Sequence, residues 1–257
     1  MIVASQIDRT QHASYVLRLA DTQLVLGHRL SEWIAKAPFL EEELALANMA
    51  LDLIGQARAL LMHAANLEGK GRDADGLAYL RDAGEFRNLL LVEQPNGDFA
   101  HTMARQLFHA AWAEPLWTAL AAGADSELAG IAAKAEKEAT YHLRHVSEWV
   151  IRLGDGTAMS KRRMEGAVDQ LWPFTGEFFE ADAGEAALVA AGIAADVAKL
   201  RSIWNATIDR VLREATVPRP GDCVMQGGGR DGRHSEHLAA MLADMQVLQR
   251  THPGAEW

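Results

Sequence analysis

The stretch EEELALANMALDLIGQARALLMHAANLE, residues 41–68, decides the fold. At about 100° per residue it places Leu46, Ala50, Leu53, Ala57, Leu60, Ala64 and Leu67 on one helical face, with Leu44, Ala47, Leu51, Ile54 and Leu61 on an adjoining one. What remains is a narrow polar stripe of Asn48, Asp52, Gln56, His63 and Asn66, too small for a fully solvated side. A helix apolar almost all round sits in the middle of a bundle or between two proteins. The stripe itself reads first as a solvent-facing seam or a satisfied internal network. Three acids, Glu41 to Glu43, favour the positive helix end, and Gly69 closes the other.

Working outward, the same Ala-, Leu-, Glu- and Arg-rich pattern predicts helices over 13–36, 98–122 and 126–153. The first stops before Pro38, whose ring would clash with a continuing helix, and the last ends at Gly154-Asp155-Gly156. A loop-rich stretch, 69–97, separates the second helix from the third. Segments 160–180, 195–214 and 233–250 read as helical additions, and 217–232, with PRPGD and QGGGRDG, reads as a linker or docking loop. No sustained strand alternation occurs, so the expected fold is all-α. It is a four-helix bundle over about 13–153 with appended helices over about 160–250, one domain across 1–257.

Composition narrows the function classes. Thirty-five acidic residues against 25 basic ones give a formal charge of -10, which repels nucleic-acid backbones, although a local basic patch still acts at short range. The single cysteine, Cys223, forms no internal disulfide, and MIVASQIDRTQHASY lacks the basic start and apolar core of a signal peptide. A cytoplasmic location is expected. The most apolar stretch, 186–195, falls short of the about 20 residues that cross a bilayer.

Four long helices around a polar stripe are the scaffold of di-iron carboxylate sites, built from single carboxylates on two helices and Glu-x-x-His on the other two. No glutamate in the chain has a histidine three residues later. Two Asp-x-x-His strings, Asp98 to His101 and Asp231 to His234, lie where helices start and read as caps. His234 and His237, around Glu236, read as an exposed first turn. His142 and His145, with Glu138 one turn before, are the best metal candidate, against a satisfied core network as the stronger reading. Gly227 to Gly229 follow no strand and lack the residues of a phosphate loop, and Cys223 has no nearby histidine to make it a thiolate.

The strings LALANMALDLIGQAR (44–58), RNLLLVEQPNGDFA (87–100), KEATYHLRH (137–145) and HSEHLAAMLADMQVLQR with the following PG and terminal Trp (234–257) carry a resemblance over nearly the whole chain. They resemble the non-catalytic C-subunit family of the ring-1,2-phenylacetyl-CoA epoxidases, bacterial multicomponent monooxygenases of aerobic phenylacetate breakdown. The resemblance implies a ferritin-like fold and a tight heterodimer with a related catalytic A subunit that holds the iron and oxidises a CoA thioester, phenylacetyl-CoA. It also implies a small B subunit and a reductase carrying FAD and an iron–sulfur centre that draws electrons from NADPH. No cofactor is then expected on this chain.

Catalytic members carry motifs similar to Asp-Glu-x-Gly-His and Lys-Glu-Glu-x-x-His. Matched onto Asp52 to Gln56 and Lys137 to His142, Leu53 stands for a ligand Glu, Gln56 for a ligand His and Ala139 for another Glu. Only His142 keeps a ligand type, beside Asp52 and Glu138. The resemblance thus implies a polar core with vestigial metal positions, with Arg105 or Arg144 as candidate ion-pair partners. The alternative is an oxygenase with an atypical site of its own near His142.

Three supporting roles follow for such a chain. Trp33, Trp112 and Trp117 are candidates for core or interface positions. Glu85, Phe86, Arg87 and Asn88 are expected to contact the CoA tail, since arginine pairs with phosphate and an aromatic ring faces adenine. Lys161 to Arg163, and the loop with Arg230 and Arg233, are candidate docking points for acidic partners.

Overall fold

The structure, a computed structural model that describes residues 8–181 and 183–255, is helical throughout, with no strand among those residues. Helix α1 (Arg9–Ser31) starts at Asp8, whose carboxylate accepts the Thr10 N–H. It is earlier at both ends than the sequence suggests. Residues 32–37 form turns instead of helix, and Ala35 adopts a φ of 63°, a left-handed conformation that ends helical propagation before Pro38 is reached. Helix α2 (Leu40–Glu68) returns antiparallel to α1 and ends at Gly69 in the left-handed region.

The stretch expected to be loop-rich contains α3 (Ala74–Tyr79), α4 (Leu90–Glu93) and a 3-10 turn over Ala83–Glu85. It is the long crossover that carries the chain from one end of the bundle to the other. Helices α5 (Phe99–Ala121) and α6 (Ser126–Gly154) follow as a second antiparallel hairpin, within a residue of their expected bounds. Asp98 caps α5 through the His101 N–H at 3.0 Å, as its position predicts. The two hairpins meet through α2 and α6.

Helix α7 (Ala158–Leu171) packs on α5 and α6, and the expected helix over 160–180 changes at Pro173 into a 3-10 segment, Trp172–Phe179. Helix α8 (Ala183–Ala190) occupies part of the alanine-rich stretch that was not expected to be helical. Helix α9 (Val197–Glu214) lies on α5 and α6, and α10 (Glu236–Thr251) on the crossover. These additions share the bundle's core. Phe108 and Trp112 of α5 meet Trp172, Phe178 and Trp204 in one aromatic cluster, and the Trp204 indole N–H donates to the Phe108 carbonyl at 2.9 Å. Trp112 and Trp117 are both buried core residues. Trp33 is half-buried, its indole N–H donating to Thr102 Oγ1 at 3.0 Å.

The crossover is pinned by a buried ion pair. Asp21, on the middle of α1, takes the two terminal guanidinium nitrogens of Arg81 and the Arg87 N–H, the last at 2.9 Å. Both charged side chains are buried, so removing one strands the other. Asp21→Ala is therefore expected to cost about 3–5 kcal/mol of unfolding free energy, measured by urea denaturation of the whole chain. A loss under about 1 kcal/mol would show that the pair does not hold the crossover.

Candidate functional site: the seam between α2 and α6

Asp52, Gln56 and His63 of the polar stripe, with Glu42, face polar groups of α6 and the turn before it, while Asn48 and Asn66 are exposed. Glu42 Oε2 lies 3.0 Å from His145 Nε2, Asp52 Oδ2 3.0 Å from His142 Nε2, and His63 Nε2 2.6 Å from Asp125 Oδ2. Between them the Gln56 amide donates to Glu138 Oε2 at 2.8 Å. Residues early in α2 meet residues late in α6, the register of an antiparallel pair. The structure thus brings Asp52, Gln56, Glu138 and His142 together two by two. Arg105 and Arg144 take no part. The Arg105 guanidinium binds the Gln94 carbonyl at 2.7 Å and Asn96 Oδ1 at 2.6 Å, and Arg144 lies 5.8 Å over the Tyr141 ring.

Behind the seam lies a histidine that sequence reasoning passed over. His109 of α5 is buried, and its Nε2 makes no hydrogen bond to the protein. Burial, reinforced by the charges of His142 and Arg105, pulls its pKa down to about 3, so it is neutral at physiological pH. The missed partners Glu42 and Asp125 were legible only through register. They meet His145 and His63 at the two ends of the antiparallel pair.

The positions matched to metal ligands do not form a di-iron centre. Leu53 and Ala139 are buried among apolar side chains and offer no donor. Asp52 and His142 are committed to each other, as are Gln56 and Glu138. Two irons need bridging carboxylates and more imidazoles than one. The residues present do not fit that group.

The chain matches the model of the phenylacetic acid catabolic protein family over residues 3–257. It belongs to that family. It is also 51% identical, over 247 residues covering 96% of this chain and 99% of the relative, to the C subunit of 1,2-phenylacetyl-CoA epoxidase from Escherichia coli (strain K12). The ferritin-like, all-helical architecture of the phenylacetic acid catabolic proteins accords with the bundle described above.

The other predicted sites divide by exposure. Glu85 is exposed and Arg87 half-buried, and both line a groove of about 260 Å³ with Arg9, Glu68 and Lys70. Phe86 and Asn88 point inward instead. The Phe86 ring is buried beneath the Arg81 guanidinium at 4.2 Å, and the Asn88 amide donates to Glu93 Oε2 at 3.1 Å. Neither side chain has a surface to offer a ligand.

Three further sequence readings need correction. His234 is no exposed first-turn residue, because its ring bridges Glu93 Oε2 at 2.8 Å and the Phe86 carbonyl at 2.9 Å. Burial opposes its charge, but those two hydrogen bonds and the Glu93 carboxylate outweigh it and raise the pKa. Asp231 caps no long helix and pairs with Arg233. Arg230 is turned inward to the Glu180 carbonyl and Glu185, so it does not present a docking charge. Arg233 and Arg163 remain at the surface, the latter 3.6 Å from Asp98, while the Lys161 ammonium donates to Thr216 Oγ1 at 2.9 Å.

His109 sets a pH dependence. Its folded pKa lies below the usual 6.5, so the unfolded chain takes up a proton first, and stability present above pH 6.5 is lost as pH falls toward about 3. Each pH unit in that window removes about 1.4 kcal/mol. His109→Leu is expected to flatten the fall, as followed by urea denaturation between pH 7 and about pH 4. An unchanged slope would assign the acid lability to other groups.

Proposed function

We propose that this chain is the non-catalytic, structural subunit of a phenylacetyl-CoA 1,2-epoxidase complex of aerobic phenylacetate degradation. In that reading a di-iron catalytic A subunit docks on the outer face of α2. The observation that carries it is the exposure of large apolar side chains on one helix already packed on its other sides. Leu40, Leu44, Leu51 and Met62 are 69%, 58%, 66% and 52% exposed. At about 100° per residue, these four fall within roughly 40° of one another around α2. Phe39 and Ile34, just before the helix start, are each 57% exposed as well.

Such a stripe is larger than the scattered apolar residues of a monomer's surface and marks an interaction face. A second bundle of related sequence would bury it in the manner of obligate interfaces. Helix α2 is also long and apolar enough to cross a membrane by length and composition. Its inner face, however, carries Glu42, Asp52, Gln56 and His63, each paired with α6 or the turn before it, which suits burial between proteins.

In this assembly the chain holds no redox cofactor. The A subunit supplies the di-iron centre, a small B subunit joins, and a reductase with FAD and iron–sulfur chemistry delivers electrons from NADPH, all in the cytoplasm. Support for the chain's non-catalytic part lies in the seam, where Leu53 and Ala139 stand at ligand positions, Asp52 pairs with His142 and the Gln56 amide donates to Glu138. The groove edged by Arg9, Lys70 and Arg87 is the place where this chain would meet the phosphates of the CoA tail.

Two experiments test the reading. The double variant Leu44→Asp, Leu51→Asp is expected to remain helical alone yet fail to co-elute with the related di-iron subunit on size exclusion after co-expression. Retained co-elution would place the interface elsewhere. For the tail, Arg87→Ala in the assembled complex is expected to raise the apparent KM for the CoA thioester roughly tenfold, the worth of one charge-assisted hydrogen bond. Phe86 is unsuitable for such a test because its ring belongs to the core. An unchanged KM would remove this groove from the substrate path.

A further inference from the structure

One cluster at the far end of the seam is not explained by the supporting role. His12 on the first turn of α1, His63 in the last third of α2 and Asp125 in the turn before α6 converge from three separate elements. His12 Nε2 and His63 Nε2 lie 2.7 and 2.6 Å from the same oxygen, Asp125 Oδ2, and the three donor atoms all fall within 4.8 Å of one another. The imidazoles meet edge to face, with ring centres 5.9 Å apart. The cluster lies eleven residues along α2 from Asp52, about 16 Å, and is separate from the vestigial positions.

We propose that His12, His63 and Asp125 form a binding site for one divalent transition-metal ion of the zinc class, with solvent as the fourth ligand. The donor set is two borderline nitrogens and one carboxylate oxygen, which favours zinc, cobalt or nickel over magnesium or calcium. Its arrangement has a feature that hydrogen bonding leaves unexplained. His63 makes a proper hydrogen bond to Oδ2, but His12 Nε2, buried and aimed at the same atom, makes none. A metal ion would use the lone pair of that nitrogen, which lies 2.7 Å from Oδ2 without forming a hydrogen bond to it.

The carboxylate is already oriented for the task. Asp125 Oδ1 accepts the Glu127 and Leu128 N–H groups at 3.0 and 3.1 Å as the cap of α6, which leaves Oδ2 facing the imidazoles. Metal–ligand bonds of about 2.0–2.1 Å in a tetrahedron hold donor atoms about 3.3 Å apart. Small side-chain torsions that open each contact by roughly 0.7 Å would therefore admit an ion. The positive end of the α6 dipole works against a cation here, and the Asp125 charge offsets it. Bound metal would fasten the start of α1, the end of α2 and the α5–α6 turn at one point.

The test uses the untagged full chain, stripped with a chelator and titrated with Zn²⁺ by calorimetry and with Co²⁺ by visible absorption. One equivalent bound at micromolar affinity or tighter is expected, with the intense visible bands of tetrahedral cobalt and a raised Tm. Asp125→Asn keeps a good helix cap while removing the anionic donor, and His12→Ala removes the nitrogen that makes no hydrogen bond. Each should weaken binding at least tenfold while leaving the circular dichroism unchanged. Absence of binding below millimolar concentration, or binding that neither variant alters, overturns the site. Assembly with a di-iron subunit is scored separately, so failure here leaves the proposed function standing.

Discussion

Helix α2 meets α6 and the turn before it across four polar side-chain pairs, and satisfying all of them together fixes the register between the two hairpins of the bundle. Sliding α6 by one turn would preserve much of the apolar contact, because leucine and alanine on neighbouring turns are interchangeable in kind. It would break every pair at once. Each pair contributes about 1 kcal/mol net, less than the burial of a single leucine. Their weight lies in the penalty for the wrong alignment, where half-buried imidazoles and carboxylates would lose partners.

The same use of buried charge organises the segments that lack long helices. Backbone N–H groups in the crossover and the strap before α10 have no regular ladder to join, yet they are covered. Asp21 accepts from Arg87 N, Glu177 from the backbone of Leu90, Gly228 and Arg230, and Glu93 from Ser235 N. All three carboxylates are buried. The strap lies so close on the crossover that a Cβ on Gly229 would come within 2.2 Å of the Asn88 carbonyl. Within the glycine run that looks like a flexible linker, Gly229 has no room for a side chain and Gly228 sits at a φ of 117°, whereas Gly227 has room for one. Part of the chain's acidic surplus thus serves as internal scaffolding.

This division explains what could be read in advance. The long helices were legible because their periodicity and their punctuating glycines and prolines are local properties, as α5 and α6 show. The polar stripe of α2 was legible for the same reason, and it named Asp52, Gln56 and His63 before any partner was known. Glu42, Asp125 and His109 were hidden because their roles depend on which helix lies opposite. The inward turn of Phe86, Asn88, Arg230 and His234 was hidden too. Nothing local distinguishes an arginine that reaches a surface phosphate from one that folds back onto a carbonyl, and the crossover that decides this is held by residues sixty or more positions away.

The seam also differs in charge from a di-iron site. A di-iron site concentrates carboxylates that repel one another until the ions bind, so the empty site strains the helices that carry it. Here Leu53 and Ala139 carry no charge, and Gln56 can donate to Glu138 where an imidazole would have bound an ion. The Asp52–His142 contact places a remaining carboxylate against a proton donor. Helix α2 is thereby held from its inner side by its own chain. A helix fixed in that way can offer Leu40, Leu44, Leu51 and Met62 as a rigid apolar row, and a rigid row loses little entropy when a partner covers it.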